Sequence, residues 1–391
     1  MIDPKLIEYA RTDRQREVLA LLAEVGSKRA VANQLGITPE KVRRALYAVE
    51  RYAAEKGYAP QHGIEHPLPE HLLLSGTSTL TDMVTGEHRL QWLKSSLDRH
   101  QLKASMIAAA NALGEVIKPE EPVAPPKHTL DDLMNTFILT DFHVGALSWL
   151  VETGEAWDMQ IAEETVYKWI ASSVKSVPPA KHAVLCQLGD FLHYDSLDAV
   201  TPANRNILDS DTRYGKLPET AIRIVRRLIR ALLQHHETVT VIMAEGNHDP
   251  AGSSWLRALL KVFYENEPRV EVDDSKLPFY CVEWGQTSVY FHHGHLVKPG
   301  HVSKTFAGQF REVFGRTQFS YGHLGHMHHT MSKEDSLMVI EQHETLAARD
   351  SYSARLGHIS QRSAPVITYH KNHGEVYRHR MPFSMIWQEQ E

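Results

Sequence analysis

Cysteine is scarce in this sequence, with two residues, Cys186 and Cys281, in a chain of 391. Both lie in apolar, strand-like runs, which favours buried free thiols over a disulfide and fits a reducing cytoplasm. No apolar run approaches the roughly 18 residues needed to cross a bilayer, and the polar N-terminus has no secretion-signal pattern. We therefore expect a cytoplasmic protein that does not use a membrane as a partner.

Positive charge is also limited. The formal net charge is −6, whereas residues 1–60 carry eleven Lys and Arg against eight Asp and Glu, which leaves −9 for the remainder. This balance argues against a chain that binds nucleic acid over its whole surface and restricts any basic face to the N-terminal region. The unusually frequent residue is histidine, with 25 copies, and histidine is the commonest metal ligand in proteins.

The N-terminal region predicts helices with clear start and stop signals. Thr12 and Gln15 form a capping-box pattern ahead of an apolar run, and Gly26 follows that run. Ser27 can cap a short second helix, which Gly36 ends. The two helices would therefore be joined by a very short connection.

A third helix is expected to begin at Pro39, after the N-cap Thr38, and to run to Gly57. Its apolar residues follow the spacing of one buried helix face: Val42, Ala45, Leu46 and Val49. Four other residues near its start are left outside that face and are the predicted DNA contacts: Lys41, Arg43, Arg44 and Tyr47. A helix-turn-helix places such a helix in a major groove, whereas the alternative is a small bundle whose charges only face solvent.

The next stretch predicts a hairpin and a helix. Thr77–Leu80 and His88–Leu93 could pair across the turn Thr85-Gly86, and a helix is expected from about Asp98 to Leu113. A proline-rich segment follows, which is typical of a semi-rigid linker. We accordingly predict three regions: a helix-turn-helix domain at 1–58, a connector at 59–128 and a main domain at 129–391.

Beyond residue 129, strand-like runs alternate with amphipathic helices, the pattern of a layered α/β sandwich. The predicted strands are Phe137–Thr140, Ala183–Gln187, Val239–Ala244, Ser288–His292, Gln318–Tyr321, Val366–Tyr369 and Val376–His379. The predicted helices are Glu163–Val174, Glu219–Gln234 and Trp255–Tyr264.

Five of these strands end in polar side chains. The apolar run Val239–Ala244 is followed almost at once by Asn247, His248 and Asp249, and ligands of open α/β sheets bind just beyond the carboxyl ends of strands. The other four strand ends carry Asp141 and His143, Asp190, His293, and His326 with His328. Any one of these could be an ordinary turn or a packed core feature. Together they supply the oxygen and nitrogen ligands that suit Mn, Fe or Zn.

This series of motifs resembles the calcineurin-like metallophosphoesterase family. The motifs occur in the family's order: Asp141-x-His143, Gly189-Asp190, Gly246-Asn247-His248-Asp249, His293-Gly294-His295 and Gly325-His326-x-His328. The form Asp141-x-His143-x-Gly145 is similar to the nuclease branch of that family. The N-terminal helices resemble those of helix-turn-helix proteins carried by tailed phages and prophages. The fold that this resemblance implies is a four-layer αββα sandwich.

The resemblance also implies a centre with two divalent metal ions. Its first ion would be held by Asp141, His143 and His328, and its second by Asn247, His293 and His326, with Asp190 bridging the two. Mn²⁺ is the expected ion, with Fe, Zn or Ni as alternatives.

The same resemblance assigns catalytic roles to two further residues. His248 would stabilise or protonate the leaving oxygen, and Asp249 would orient its imidazole. Four histidines next to the motif positions could instead be near neighbours of the metals or face solvent: His292, His295, His323 and His329. His193, three residues after Asp190, could serve the site or the core.

Three functions remain open from the sequence. The first is a phage-type DNA nuclease that uses water activated by two metal ions, with DNA as its partner. The second is a phosphoesterase for small nucleotides or phosphomonoesters, which the acidic main domain favours because non-specific DNA affinity needs cations. The third is a DNA-binding regulator that retains an inactive phosphoesterase scaffold. A homo-oligomer is compatible with each.

Overall fold

The computed structural model describes residues 2–62, 64, 68, 72–81, 88–97, 122–357 and 359–387. The chain forms two compact units, Met1–Ile117 and Lys118–Glu391. The limits of the three regions expected from the sequence stay predictions.

The described residues of the first unit include three α-helices: α1 (Asp13–Val25), α2 (Lys28–Gln34) and α3 (Pro39–Glu55). They follow a short 3-10 helix, Pro4–Tyr9. The capping box at Thr12 is confirmed, since the side chains of Thr12 and Gln15 each accept a hydrogen bond from the other residue's main chain. The helices enclose a common apolar core whose buried members include Leu19, Val31, Val42 and Val49.

The predicted hairpin is present as two longer strands, β1 (Leu72–Thr81) and β2 (His88–Leu97), which pair antiparallel. The turn expected at Thr85-Gly86 and the helix expected from Asp98 to Leu113 lie outside the described residues.

The second unit contains two β-sheets. Its strands are β3 (Leu130–Leu139), β4 (Ala180–Gln187), β5 (Thr238–Met243), β6 (Val270–Val272), β7 (Tyr280–Trp284), β8 (Thr287–Phe291), β9 (Phe319–Leu324), β10 (Met331–Glu334), β11 (Val339–Gln342), β12 (Ser363–His370) and β13 (Gly374–Pro382). Its helices are Leu150–Thr153, Met159–Ser176, Lys216–His235, Pro250–Phe263, Pro299–Gln309, Arg311–Arg316, Ser351–Arg355 and Phe383–Ile386.

The six-stranded sheet has the order β13-β12-β3-β4-β5-β6, in which β3 to β6 run parallel and β12 and β13 pair antiparallel. The five-stranded sheet has the order β10-β11-β9-β8-β7, with a parallel centre of β11, β9 and β8. In both sheets the central parallel strands bring their carboxyl ends to one edge, where ligands of such sheets bind.

Apolar side chains define four layers. Buried residues of both sheets, including Ile138, Val184 and Phe291, form one core between the sheets. On the outer face of the six-stranded sheet, Phe137 packs edge to face with Trp169 of the helix Met159–Ser176. On the outer face of the five-stranded sheet, Phe306 of the helix Pro299–Gln309 is stacked against Tyr290. The predicted four-layer αββα sandwich is therefore confirmed.

The fifth strand differs from its prediction. The sequence places its end near Tyr321, whereas β9 continues to Leu324, so that His323 lies within the strand. His323 is buried, and its ring nitrogens bond Tyr369 Oη at 2.8 Å and His343 Nε2 at 2.9 Å. It is thus a buried core residue, not the solvated neighbour of the site that its position after a strand suggested.

None of the helices in the described part of the chain combines the length and apolarity needed to span a lipid bilayer.

Candidate metal centre

The candidate ligands lie on turns of the chain that directly follow the parallel strands. These turns bring the ligands to one place. Beyond β3, the Asp141 and His143 N–H groups bond the carbonyls of Gly189 and Asp190, which follow β4, each at 3.0 Å. Beyond β9, the Gly325 N–H bonds the carbonyl of His293 at 2.8 Å. The strand ends of each sheet are therefore held to one another by main-chain hydrogen bonds.

Left-handed backbone conformations mark this edge. Among the described residues, six non-glycine residues have positive φ, and five of them are candidate ligands: Asp141 (48°), His143 (47°), Asp190 (50°), His326 (73°) and His328 (53°). A residue with a side chain has a higher free energy in the left-handed conformation than in the usual ones. Residues held in this conformation concentrate at functional sites. The turns bring side chains from successive residues toward the same space.

Two glycines of the motifs allow the close approach. A Cβ added to Gly189, whose φ is +99°, would lie 2.4 Å from the imidazole of His293. A Cβ added to Gly246 would lie 1.9 Å from Oδ1 of Asp190. The main chain therefore touches the candidate ligands at both positions, which explains why glycine precedes Asp190 and Asn247.

A first cluster contains Asp141, His143 and His328, whose ligand atoms all lie within 4.8 Å of one another. Asp141 Oδ1 lies 3.2 Å from His328 Nε2. Its Oδ2 accepts a hydrogen bond from the His326 N–H at 2.8 Å. Asp141 is completely buried, so one carboxylate oxygen is anchored and the other faces imidazole nitrogens.

A second cluster contains Asp190, His293 and His326, again within 4.8 Å. The His293 ring is held by a 2.8 Å bond from Nδ1 to the Leu188 carbonyl, which leaves Nε2 facing the cluster. That Nε2 lies 3.2 Å from Asp190 Oδ2 and 3.3 Å from Asn247 Oδ1. Asn247 therefore joins this cluster through its amide oxygen.

The two clusters are neighbours. Asp141 Oδ1 of the first lies 3.8 Å from His293 Nε2 of the second. Burial lowers the pKa of His143, and the negative charge of Asp190 acts in the opposite direction, so the Asp190 charge reaches both clusters. Asp190 Oδ1 also accepts the His248 N–H at 2.8 Å, which fixes the carboxylate between the strand ends.

The electrostatics of the site favour bound cations. Burial alone would raise the pKa of Asp141, but the charges of His328 and His293 outweigh burial and hold that pKa below its usual range. Burial alone would lower the pKa of His293, yet Asp190 and Asp141 raise it to about 10. Two buried carboxylates thus attract positive charge, whether protons on imidazoles or metal ions.

The donor set fits divalent metal ions. Asp141 Oδ1 is buried without a hydrogen bond among the described residues, and it lies 3.2 Å from His328 Nε2 and 3.8 Å from His293 Nε2. Once the imidazoles give up their protons, the converging lone pairs of these carboxylates and rings are what a shared cation needs. Carboxylate, imidazole and amide donors suit Mn, Fe, Zn or Ni.

Comparisons with known proteins establish no family. No family profile matches the sequence, and no curated protein matches it. Among solved structures, a predicted phosphoesterase from Streptococcus pneumoniae TIGR4 matches with 12% identity and a TM-score of 0.29, covering 65% of this chain and 99% of that chain. An archaeal phosphodiesterase matches with 12% identity and a TM-score of 0.31, covering 64% and 99%. Vps29 from Entamoeba histolytica, complexed with zinc, matches with 13% identity and a TM-score of 0.29, covering 64% and 99%. Likenesses this weak carry no conclusion about activity.

His248 lies beside the first cluster. Its ring is 4.8 Å from that of His143, between centroids, and stacks on that of His193 at 5.6 Å. His248 Nδ1 bonds the His193 carbonyl at 2.8 Å, so a proton on Nδ1 leaves Nε2 to act.

The hydrogen-bond partners of Asp249 differ from the one that its predicted role would give it. Its two carboxylate oxygens accept hydrogen bonds from the N–H groups of Leu192 and Gly246, each at 3.0 Å, and the His193 carbonyl orients the His248 ring instead. Burial and the nearby Asp190 raise the pKa of Asp249 to about 7. Asp249 therefore joins two strand ends behind the site.

Three histidines next to the motifs have separate environments. His292 is buried and bonds the Pro278 carbonyl through Nδ1 at 2.7 Å. His295 lies beside His293, with 5.2 Å between the ring centroids. His329 is exposed and bonds the Met327 carbonyl.

His193 is a site residue for which sequence reasoning left the role undecided. Its Nδ1 lies 3.2 Å from His143 Nδ1, and both rings are buried. His143, His193 and His248 form a further group of three nitrogens within 4.8 Å. The only sequence signal was its spacing after Asp190.

The predicted DNA contacts lie near the start of α3. Arg43 and Arg44 are exposed and both pair with Glu40, one turn before them. Lys41 is exposed, and 67% of Tyr47 is accessible to solvent. Their contact with DNA stays a prediction.

Proposed function

We propose that this protein is a metal-dependent phosphoester hydrolase. The observation that carries the proposal is the pair of adjacent buried clusters, joined where His293 Nε2 lies 3.2 Å from Asp190 Oδ2 and 3.8 Å from Asp141 Oδ1. Two divalent ions about 3.5–4 Å apart can hold the attacking and leaving oxygens of a phosphoryl displacement. The supporting argument is the chemistry of this donor set, not the weak structural likenesses.

The residues divide between two ions as the resemblance implies. Asp141, His143 and His328 would hold one ion, and Asn247, His293 and His326 the other, with Asp190 between them. When bound, the ions supply positive charge that polarises the phosphate and makes a water more acidic. Mn²⁺ is the ion that we expect, with Fe, Zn and Ni as alternatives.

The protein's own groups would orient the reaction. A water oxygen forms the new bond to phosphorus as the water gives up a proton to solvent, and the bond from phosphorus to the leaving oxygen breaks. The leaving oxygen takes up a proton from the doubly protonated form of His248, which solvent then reprotonates. His248 is placed to donate that proton from Nε2, because Nδ1 is engaged by the His193 carbonyl at 2.8 Å. The anchored ring keeps Nε2 in one orientation, which general acid catalysis requires.

DNA is the substrate that we propose first. Its support is the N-terminal helices, in which α2 and α3 are joined by a tight turn at Gly36 with φ +63°, and exposed basic residues follow at the start of α3. This is the arrangement of a DNA-docking helix pair. The resemblance to phage proteins adds to the same proposal.

A small nucleotide or phosphomonoester is the second candidate. The net charge of −9 beyond residue 60 favours it, because a surface that holds a phosphate backbone needs cations.

The experiment compares hydrolysis of bis-p-nitrophenyl phosphate, single-stranded DNA and duplex DNA with Mn²⁺, Zn²⁺ or no metal. We expect metal-dependent hydrolysis that His328→Gln abolishes and His329→Gln, at the exposed neighbouring position, retains. Hydrolysis of the small diester alone would favour the second candidate. Metal-bound protein inactive on all substrates would refute the hydrolase proposal.

A further inference from the structure

An open cavity of about 630 Å³ is lined by the segment that follows His193. Its wall begins with Tyr194, whose ring centroid is 6.5 Å from that of His193. His193 in turn lies against His143, with 3.2 Å between their Nδ1 atoms. Only His193 therefore lies between the cavity wall and the candidate ligand His143.

The segment 195–215 forms this cavity and is held to the site at both ends. It leaves the centre at His193 and returns where the Leu147 N–H bonds the Asp209 carbonyl and the Asp211 N–H bonds the Gly145 carbonyl, each at 3.0 Å. Gly145 follows the candidate ligand His143 by two residues. A molecule in the cavity would consequently have a fixed position relative to the metal centre.

The wall is largely aromatic and aliphatic. Tyr194 is buried and donates its hydroxyl to the Thr212 carbonyl, which holds its ring in place. Its centroid is 6.1 Å from that of Tyr214, and the apolar lining also includes Leu197, Val200 and Ile207. Ile207 is 89% exposed although it is a large apolar residue. The partly exposed ring of Tyr214, next to the buried Tyr194, and these aliphatic side chains suit the flat faces of a planar organic group.

The charges around the cavity do not favour a run of phosphates as its occupant. Arg213 is the single basic residue of the lining, whereas Asp198 is acidic and pairs with Arg205 at 3.5 Å. Within the segment 195–215, aspartates outnumber the arginines. A run of backbone phosphates would need several cations here. The edge groups of Ser210, Thr212 and Arg213 instead offer hydrogen bonds to a heterocycle.

We propose that this cavity binds the nucleoside attached to the scissile phosphate, and that Ile207 and Leu197 contribute to the preference for substrates that carry a nucleoside. The inference rests on the proposed phosphoester hydrolysis and adds the class of substrate. The nucleoside could belong to a free nucleotide ester or to the end of a strand, since both present one base and one sugar next to a phosphate.

The test uses two diesters with the same leaving group, thymidine 5′-(p-nitrophenyl phosphate) and methyl p-nitrophenyl phosphate. Their ratio of kcat/KM isolates the contribution of the nucleoside. Ile207→Asp and Leu197→Asp place a carboxylate in the cavity at exposed positions, and Val262→Asp is the matched control, at a 65% exposed position of the helix Pro250–Phe263.

We expect the ratio to fall about tenfold in both cavity variants, as the absence of one stacked base implies, while the control and hydrolysis of the methyl ester stay unchanged. Release of the terminal nucleotide from a short single-stranded oligonucleotide distinguishes strand ends from free nucleotides as the source of the nucleoside. If this release also decreases in the cavity variants, the cavity binds strand ends as well. If it does not decrease, the cavity binds free nucleotides.

An unchanged ratio in both cavity variants would overturn the inference and leave the hydrolase proposal intact. If the wild-type protein hydrolyses neither diester, the proposed function fails, and calorimetric binding of thymidine monophosphate to wild type and Ile207→Asp decides the cavity separately. Equal binding of thymidine monophosphate by the two proteins would then reject the proposed nucleoside site.

Discussion

His293 Nε2 lies 3.2 Å from Asp190 Oδ2, although the two residues follow strands of different sheets. Asp190 comes after β4 of the six-stranded sheet, and His293 after β8 of the five-stranded sheet. The candidate metal centre therefore lies where the two sheets meet at their carboxyl edges. Its integrity depends on the packing of the sandwich as a whole.

Replacement of Asp190 by asparagine keeps the shape of the side chain and removes its negative charge. We expect the variant to lose bound metal and to lose more than about 100-fold of its phosphodiesterase activity, since Asp190 contacts a ligand of the second cluster and affects the first. Metal content is measured by elemental analysis after gel filtration. Asp131→Asn is the control, at an exposed carboxylate that pairs with Lys181. Full metal content in Asp190→Asn would contradict the bridging role.

Metal affinity should rise with pH. Asp190 and Asp141 raise the pKa of His293 to about 10 against the effect of burial, so its ring is protonated near neutral pH when no metal is bound. A metal ion at Nε2 must displace that proton, and affinity should increase by up to about tenfold per pH unit for each proton released. Calorimetry in buffers of different ionisation enthalpy counts the protons. No release between pH 6 and 8 would refute this prediction.

Gly189→Ala tests the close contact between main chain and ligand. The new Cβ would lie 2.4 Å from the His293 ring at a residue with φ +99°, which predicts a decrease of about 1–3 kcal/mol in the free energy of unfolding and weaker metal binding. Gly308→Ala is the matched control, because it lies in the helix Pro299–Gln309 with nothing within 4 Å of its Cβ position. The control should be stabilised by about 0.5–1 kcal/mol. Both are measured by chemical denaturation, and equal midpoints would argue against the contact.

His236 should make stability dependent on pH in the acid range. Burial lowers the pKa of its ring to about 4, and both nitrogens are engaged, Nδ1 with the Leu232 carbonyl and Nε2 with Asn135 Nδ2, each at 3.0 Å. In the unfolded chain the pKa of His236 is near 6.5. Between pH 6.5 and 4 the unfolded chain therefore binds more protons at His236 than the folded chain does.

The contribution of His236 to the free energy of unfolding is consequently complete above pH 6.5. It falls with decreasing pH by up to about 1.4 kcal/mol per pH unit. The measurement is the difference in unfolding free energy between wild type and His236→Gln from pH 7 to 4.5. That difference should change with pH, whereas the same difference for the exposed His301→Gln should stay constant. A constant difference for His236→Gln would show that the ring does not titrate as argued.

The first turns of α3 should bind duplex DNA if the proposed docking role is correct. Arg43→Ala with Arg44→Ala should weaken binding and reduce the slope of log K against log salt by about one for each phosphate that the variant no longer neutralises. Arg51→Ala is the control, because it lies further along the same helix and pairs with Glu55 at 3.1 Å. Equal binding by all variants in fluorescence anisotropy would reject the docking role.

Local patterns in the sequence were sufficient for several parts of the structure. Capping residues at Thr12 and Thr38 located two helix starts, since a cap depends on neighbours within three residues. Apolar runs followed by polar residues located five strands and, for four of them, their ends to within about one residue. Because parallel strands bring such ends to one edge, the sequence also indicated which side chains would lie near one another.

Only the tertiary structure decided which partner each polar side chain has. Asp249 and His248 are adjacent in sequence, yet Asp249 bonds the N–H groups of Leu192 and Gly246. His323 follows a predicted strand end, yet β9 continues past it and packs it between Tyr369 and His343. Spacing along a chain defines the side of a strand on which a residue lies, whereas its contacts depend on how distant segments pack. The sequence therefore determined the layered fold and the set of candidate ligands, and the packing of the two sheets determined how those ligands meet.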